Sequence, residues 1–296
     1  MTLSLRSSGC TAKTWGAVRS TALFFAATTL ASSLVAAPAL AKKIKGAVEQ
    51  SRQGDIVFAM DRKGDEIGHH SVTYTPLEDG RLQVDVAITI KVKFAFIVAY
   101  RYEHLNREIW SADGKTLLSI ESETFNNGKN ISISGKRTDA GFAMIDEDGT
   151  EYLIEGDIAP TSYWNALLLE ADSAVLNTQK GKVADVAFIN QDKSDVVAPD
   201  GTAVTTALYE SQGELERIYV DYTPDNACWV GLEFFPPKQD VEITYRLTSY
   251  FAAQRPDLAA YPRLDACQKV FLPEPIPAED QTLRLTQQDR QPGSKS

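Results

Sequence analysis

The sequence is poor in the residues on which most metal and redox sites depend. It contains three cysteines and three histidines in 296 residues, and no Cys-x-x-Cys pair occurs. This excludes thioredoxin-like redox chemistry and the usual structural zinc sites. A Gly-x-Ser-x-Gly elbow, a glycine-rich phosphate loop, a dinucleotide fingerprint and a His-Glu-x-x-His motif are also missing. We therefore predict no metal, no cofactor and no catalytic residue.

Acidic residues outnumber basic ones by 40 to 30, which gives the chain a net charge of −10. Nucleic acids and anionic lipid surfaces attract proteins through cationic patches. The charge therefore predicts that nucleic acid is not a partner, and it argues against an anionic lipid surface. With 43% hydrophobic residues, the composition is that of an ordinary globular protein and not of a disordered chain.

Residues 1–41 have the organisation of a secretory signal peptide. They contain three basic and no acidic residues, an apolar run extends from Thr21 to Ala41, and Ala39-Leu40-Ala41 immediately precedes Lys42. We predict cleavage after Ala41 and export, most simply to a bacterial periplasm. A transmembrane anchor is the alternative, disfavoured by the cleavage pattern. No later stretch reaches the roughly 18 apolar residues that a spanning helix needs, so no transmembrane segment is expected in the mature chain.

Cleavage of the signal peptide would remove Cys10 and leave two cysteines, Cys228 and Cys267. In an oxidising compartment an even pair favours a disulfide. Two buried or free thiols are the alternative.

Hydrophobic and polar residues alternate from about residue 55 to residue 250, as they do in half-buried strands. The clearest run is 84–94, in which every even position is apolar. Glycine beside Asn or Asp separates the runs, and these residues supply the positive φ of tight hairpins. The pattern predicts an all-β antiparallel meander that forms a large curved sheet or half-open barrel. An outer-membrane barrel alternates too, but it ends on a membrane strand, whereas a polar tail follows Tyr250 here.

Two segments depart from this alternation. A short helix is predicted near 161–170, beginning close to Thr161 or Ser162. After residue 250 prolines become frequent, with six of the 13 in the last 46 residues. We therefore predict a signal peptide (1–41), a curved β domain (42–250) and a proline-rich C-terminal extension (251–296). The extension is expected to lie on the domain as far as Leu272 and to end in a disordered tail.

Two histidines fall on the apolar side of predicted strands. Alternate residues of a strand share one face, so His70 lies on the same face as Val72 and Tyr74. In the same way His104 shares a face with Tyr102 on another strand. A buried imidazole needs a hydrogen-bond partner, because an unpaired polar group is costly. Each ring is therefore either a core histidine bonded within the protein or a polar anchor in a ligand cavity.

The sequence Ser162-Tyr163-Trp164-Asn165 interrupts the meander where a segment could close one end of the sheet. Tryptophan supplies an apolar wall with a polar edge, and imidazoles and an amide can fix the head group of a ligand. We predict a ligand-binding cluster of His70, Tyr102, His104, Trp164 and Asn165. In the alternative interpretation the same cluster fastens the closing segment to the sheet.

Five short motifs occur between residues 67 and 182. They are Ile67-Gly68-x-His70, Tyr100-Arg101-Tyr102-Glu103-His104, Arg107-Glu108-Ile109-Trp110, Ser162-Tyr163-Trp164-Asn165 and Leu176-Asn177-Thr178-Gln179-x-Gly181-Lys182. Together they resemble an uncharacterised family of exported bacterial proteins known only as a domain of unknown function, over roughly residues 55–250. The resemblance implies export and a β architecture. It implies no mechanism, because the family has no established activity.

These observations favour a non-enzymatic periplasmic protein. We expect a binding or carrier module with an apolar cavity for a hydrophobic small molecule or lipid. A structural or assembly factor of the cell envelope with a filled core is the alternative, and a histidine-dependent enzyme is a third hypothesis. A cavity large enough for an acyl chain would separate the first hypothesis from the second.

Overall fold

The computed structural model describes residues 46–170, 173–215, 217–225, 227–236 and 240–272. The predicted signal peptide, the cleavage site before Lys42 and the predicted disordered tail lie outside these residues. The described part contains sixteen strands: β1 (Ile56–Arg62), β2 (Asp65–Pro76), β3 (Leu82–Phe94), β4 (Ile97–Trp110), β5 (Leu117–Asn126), β6 (Lys129–Thr138), β7 (Gly141–Ile145), β8 (Glu151–Ile154), β9 (Ile158–Pro160), β10 (Ala174–Asn177), β11 (Lys182–Ala184), β12 (Val186–Val197), β13 (Ala203–Gly213), β14 (Ile218–Tyr222), β15 (Trp229–Phe234) and β16 (Ile243–Tyr250).

Helices are few and short in the described residues. They are α1 (Ala47–Gln50), α2 (Pro262–Phe271) and two 3₁₀ helices, Ala166–Leu169 and Pro256–Leu258. None of them combines the length and the apolar character that crossing a bilayer requires.

Thirteen strands form one antiparallel sheet in the order β12-β13-β14-β15-β16-β1-β2-β3-β4-β5-β6-β7-β8. The last strand, β16, pairs with the first, β1, so the two halves of the meander join in the middle of the sheet. The sheet is open, with β8 and β12 at its edges. The predicted fold class is confirmed.

The sheet curls around its apolar face. Trp229 in β15 and His70 in β2 are three strand spacings apart, about 14 Å along a flat sheet. Their ring centroids are nevertheless only 5.0 Å apart. Curvature therefore brings side chains from distant strands into one core, as the period-two pattern of the sequence requires when one face is apolar.

We call residues 155–170 and 173–185 the inner segment. They lie in the chain between the two edge strands and cover the concave face of the sheet. The inner segment forms a small sheet in which β10 pairs with β9 in parallel and with β11 antiparallel. Two hydrogen bonds of 2.6 Å attach it to the large sheet: the Ser122 hydroxyl donates to the carbonyl of Thr178, and the Tyr222 hydroxyl donates to the carbonyl of Tyr163.

The helix predicted near 161–170 is present only as the 3₁₀ helix Ala166–Leu169. It begins later than predicted, because Tyr163 adopts a left-handed φ of 63° that no helix accommodates. The cap is Asn165, whose side chain accepts a hydrogen bond of 3.2 Å from the amide of Leu167.

The first part of the C-terminal extension closes one end of the sheet with α2, a helix that the sequence analysis did not predict. Pro262 stands in the first turn, where its missing amide hydrogen costs nothing. The Tyr261 hydroxyl reaches the carbonyls of Gly80 and Arg81 in the β2–β3 turn, each at 3.0 Å. Cys267 in α2 is bonded to Cys228, with the two Cα atoms 5.4 Å apart, so the predicted disulfide is present.

Candidate ligand cavity

The even-numbered residues of β4 point into the concave side and form a polar row. His104 is opposite Ile88 in β3, and Ile88 is opposite His70 in β2. The two imidazoles therefore lie on one face, as parity predicts, and are two strand spacings or about 10 Å apart. Tyr102 lies one step towards the hairpin end of β4, and Asn106 lies one step in the other direction.

Beyond Asn106 the interior is filled. Trp110 and Trp164 meet edge to face with centroids 5.3 Å apart, and Tyr74 meets Trp164 at 5.5 Å. Glu108 lies fully buried between them. Its carboxylate accepts hydrogen bonds from Trp110 Nε1 at 2.8 Å, Trp164 Nε1 at 2.9 Å and Asn106 Nδ2 at 2.7 Å. Glu108 therefore holds the inner segment to β4.

Burial raises the pKa of Glu108, and the hydrogen bonds from Trp164, Trp110 and Asn106 limit the rise. Burying a carboxylate costs desolvation free energy even when several donors bind it. Removing one of the donors costs still more, because the buried charge is then left uncompensated. Asn165 joins this filled region, since its amide nitrogen donates to the carbonyl of Gly114 at 3.1 Å.

Towards the β3–β4 hairpin the interior is hollow, with a cavity of about 540 Å³. This lies within the roughly 300–1,000 Å³ of ordinary ligand pockets. Most of the wall is apolar and comes from both halves of the meander: Val86, Ile88, Ile90, Val92, Ile218, Leu232, Phe234 and Ile243. Asn106 marks the inner end, and the exposed Asn126 and Gln179 mark the mouth.

The structure divides the predicted cluster between these two regions. His70, Tyr102 and His104 line the cavity. Trp164 and Asn165 do not line it, because their polar groups are bonded to Glu108 and Gly114 in the filled region. Asn106, which the sequence analysis missed, lines the cavity beside the first three. It shares the parity of His104, so the same alternation could have identified it.

Four buried polar atoms of residues that line the cavity have no hydrogen-bond partner in the described part of the chain. They are His70 Nε2, the Tyr102 hydroxyl, Asn106 Oδ1 and the Ser162 hydroxyl. The amide nitrogen of Asn106 donates to Glu108, so its unpartnered atom is the carbonyl oxygen, a hydrogen-bond acceptor. Unpartnered buried atoms are uncommon, and each costs about 1–3 kcal/mol of desolvation. Their convergence on one cavity indicates a place where a bound molecule supplies the partners.

Both imidazoles are neutral near pH 7. Burial and the neighbouring His104 lower the pKa of His70 to about 3, and burial lowers that of His104 to about 4. His104 Nδ1 shares a hydrogen bond of 2.8 Å with the Thr124 hydroxyl. Arg62 is the one cationic side chain among the described residues that line the cavity, and none of these residues is acidic. The described residues also contain no group of three or more His, Cys, Asp or Glu placed to hold a metal ion.

The buried histidines make stability depend on pH. An unfolded histidine binds a proton near pH 6.5, whereas folded His104 binds one only near pH 4. Its contribution is therefore complete above about pH 6.5 and is lost as the pH falls towards 4. His104→Gln should reduce the slope of the unfolding free energy between about pH 4.5 and 6 by about 1 kcal/mol per pH unit, measured by urea titration. His69→Gln, on the opposite face beside Glu66, is the control and should change the slope less; equal slopes for wild type and His104→Gln would contradict the assignment.

Two glycines of the sequence motifs have packing roles. A Cβ at Gly68 would lie 1.9 Å from the carbonyl oxygen of Thr89, so only glycine allows β2 to approach β3 here. Gly181 has a φ of 65°, and a Cβ there would lie 2.8 Å from Cε of Met144. Gly181 therefore shapes the turn of the inner segment, while Thr178 and Gln179 of the same motif line the cavity.

Comparison with known proteins identifies a family without an assigned activity. A family model described as a domain of unknown function (DUF6134) matches residues 58–248. No curated protein matches the chain. Among solved structures the chain is similar to the beta-barrel-like protein of domain of unknown function DUF1849 from Brucella abortus. That match has 11% identity and a TM-score of 0.46, and it covers 66% of this chain and 95% of the other.

Proposed function

Because the chain belongs to the DUF6134 family, a domain of unknown function, its role has to be inferred from its own cavity, and we propose that it is an exported carrier or binding protein for a neutral amphiphile. The compartment we propose is the bacterial periplasm, on the strength of the signal-peptide pattern in residues 1–41.

One observation carries this proposal: the hollow half of the interior combines an apolar wall with an unsatisfied polar patch. A volume of about 540 Å³ gives room for an apolar chain. A filled interior would have favoured the alternative, a structural factor of the envelope. The filled half around Glu108 supports the same proposal, because it gives the cavity a rigid inner end.

The unpartnered polar atoms at the cavity determine which head group of a ligand would fit. Asn106 Oδ1 requires a hydrogen-bond donor, and the Tyr102 hydroxyl can donate or accept. Neutral imidazoles and the lack of charged groups at the inner end, among the described residues, disfavour an anionic head, whose burial without a countercharge is costly. A hydroxyl or amide head fits best. It would lie inward against Asn106, with the apolar tail directed to the mouth.

Binding of monopalmitoylglycerol, with palmitate as the chain-matched anion, tests the proposal by calorimetric titration near pH 7.5. We expect wild-type protein to bind the glycerol ester more tightly than palmitate. Tyr102→Phe removes only the unpartnered hydroxyl, so affinity for the ester should fall about three- to tenfold while the melting temperature stays equal or rises.

Tyr261→Phe is the matched control. It removes a hydroxyl that is bonded to Gly80 and Arg81 far from the cavity, so it should lose about 1 kcal/mol of stability and keep its affinity. A wild-type protein that binds neither amphiphile, or a Tyr102→Phe variant with unchanged affinity, would contradict the proposal.

A further inference from the structure

The hairpin between β3 and β4 projects beyond its neighbours in the sheet. Pairing of β3 with β2 ends at Ile90, and pairing of β4 with β5 ends at Tyr102. The hairpin itself continues to the pair Phe94–Ile97. Four further residues at about 3.3 Å each carry the hairpin about 13 Å past its last paired residue, while β2 continues over residues 65–67 without pairing to it. We call residues 91–101 the projecting hairpin.

Its tip is unusually apolar for an exposed turn. Phe96 is fully exposed, Phe94 is 77% exposed and Ile97 is 70% exposed. Ala95 has a φ of 52° at a turn position where Asn or Gly would relieve strain. The turn residues are therefore poor choices for local folding, and exposed apolar patches of this kind mark interaction sites.

Charge near the tip has the opposite sign to that of the whole chain. Residues 86–102 contain no acid, and they contain Lys91, Lys93 and Arg101. Arg101 is bonded to Glu103 at 2.6 Å, whereas Lys91 and Lys93 stand exposed on the hairpin. The Debye length at physiological ionic strength is about 8 Å, and Lys93 and the tip lie about 10–13 Å beyond the last residue that pairs with β2, so acids farther back on the body of the protein are largely screened from them. The net charge of the chain therefore does not exclude an anionic lipid surface at this point.

The projecting hairpin is continuous with the cavity. Val92 and Tyr100, a register pair in the projecting hairpin, both line the cavity near its mouth. A tail that leaves the cavity here would emerge beside the apolar tip.

We propose that the projecting hairpin docks on the surface of a lipid bilayer that contains anionic phospholipids. Phe94, Phe96 and Ile97 enter the interfacial layer, and Lys91 and Lys93 contact lipid phosphates. Membrane-surface helices bury an apolar face about 5–10 Å deep and attract anionic lipids with basic residues. The projecting hairpin offers the same two features, an apolar tip and lysines behind it. This inference rests on the proposed function and names the bilayer as the source or destination of the amphiphile. Docking on the bilayer does not require the cavity, because it uses only the projecting hairpin.

Vesicle flotation tests the proposal with the protein purified after export from the full-length sequence. Vesicles of phosphatidylcholine with phosphatidylglycerol should retain the wild type, and vesicles of phosphatidylcholine alone should retain less. The double variant Phe96→Ser/Ile97→Ser should lose at least about tenfold in vesicle affinity, because it removes most of the insertable apolar surface. Lys91→Gln/Lys93→Gln should weaken binding to the anionic vesicles only.

Val197→Ser is the matched control, since Val197 is 62% exposed at the end of another hairpin and should leave vesicle binding unchanged. Ile88→Trp, which places a larger side chain in the cavity wall between His70 and His104, separates the two proposals: it should weaken amphiphile binding and keep vesicle binding. Wild-type protein that floats with neither vesicle would overturn the inference. A tip variant that changes only the oligomeric state would overturn it too, because the hairpin would then cover a second copy of the chain.

Discussion

Trp164→Ala should lower the free energy of unfolding by about 3–5 kcal/mol, the usual loss for a buried tryptophan. The indole fills the interior between Trp110 and Tyr74, and its nitrogen donates to the buried carboxylate of Glu108 at 2.9 Å. The variant therefore leaves a void and removes a donor from a buried acid. Urea denaturation followed by tryptophan fluorescence and circular dichroism measures the loss.

Trp164→Phe separates the two causes, because it keeps most of the ring and removes the N–H. We expect it to lose about 1.5–3 kcal/mol, the value of a hydrogen bond to a charged group. Val197→Ala, an exposed substitution, should stay within about 0.5 kcal/mol of wild type. If Trp164→Ala lost less than about 1 kcal/mol, the inner segment would not be fastened through Glu108.

Replacing both Cys228 and Cys267 by serine should cost about 4 kcal/mol, the chain-entropy value for closing a loop of 39 positions. The bridge joins α2 to the start of β15 at the closed end of the sheet. Its removal should therefore destabilise the protein without changing the cavity, and affinity for monopalmitoylglycerol should persist wherever the variant is folded. Equal denaturation midpoints for the variant and for oxidised wild type would contradict a stabilising bridge.

The period-two alternation predicts the faces of the strands well, because residue parity translates directly into one side of a sheet. That is why His70, Tyr102 and His104 could be assigned to a common face. Trp164 and Asn165 were harder to place. They lie in an irregular segment, whose side-chain directions depend on the left-handed backbone of Tyr163.

The rest of the site depends on contacts between residues far apart in the sequence. Ile218 and Leu232 reach the cavity only because β16 pairs with β1, and no local pattern specifies that pairing. The helix α2 was missed because its proline-rich surroundings suggested an extended segment, although proline is favourable in a first helical turn. The sequence analysis did not predict the projecting hairpin, because the alternation of apolar and polar residues in β3 continues past Ile90, the last residue that pairs with β2.

Native mass spectrometry of the protein purified from its host tests the central claim most directly, because it asks whether the cavity is occupied. The wild type should carry one molecule of a neutral hydroxyl- or amide-bearing amphiphile per chain. Ile88→Trp, folded with a melting temperature close to that of wild type, should carry less of it. Wild-type protein without any bound mass, or equal occupancy in wild type and Ile88→Trp, would contradict the account.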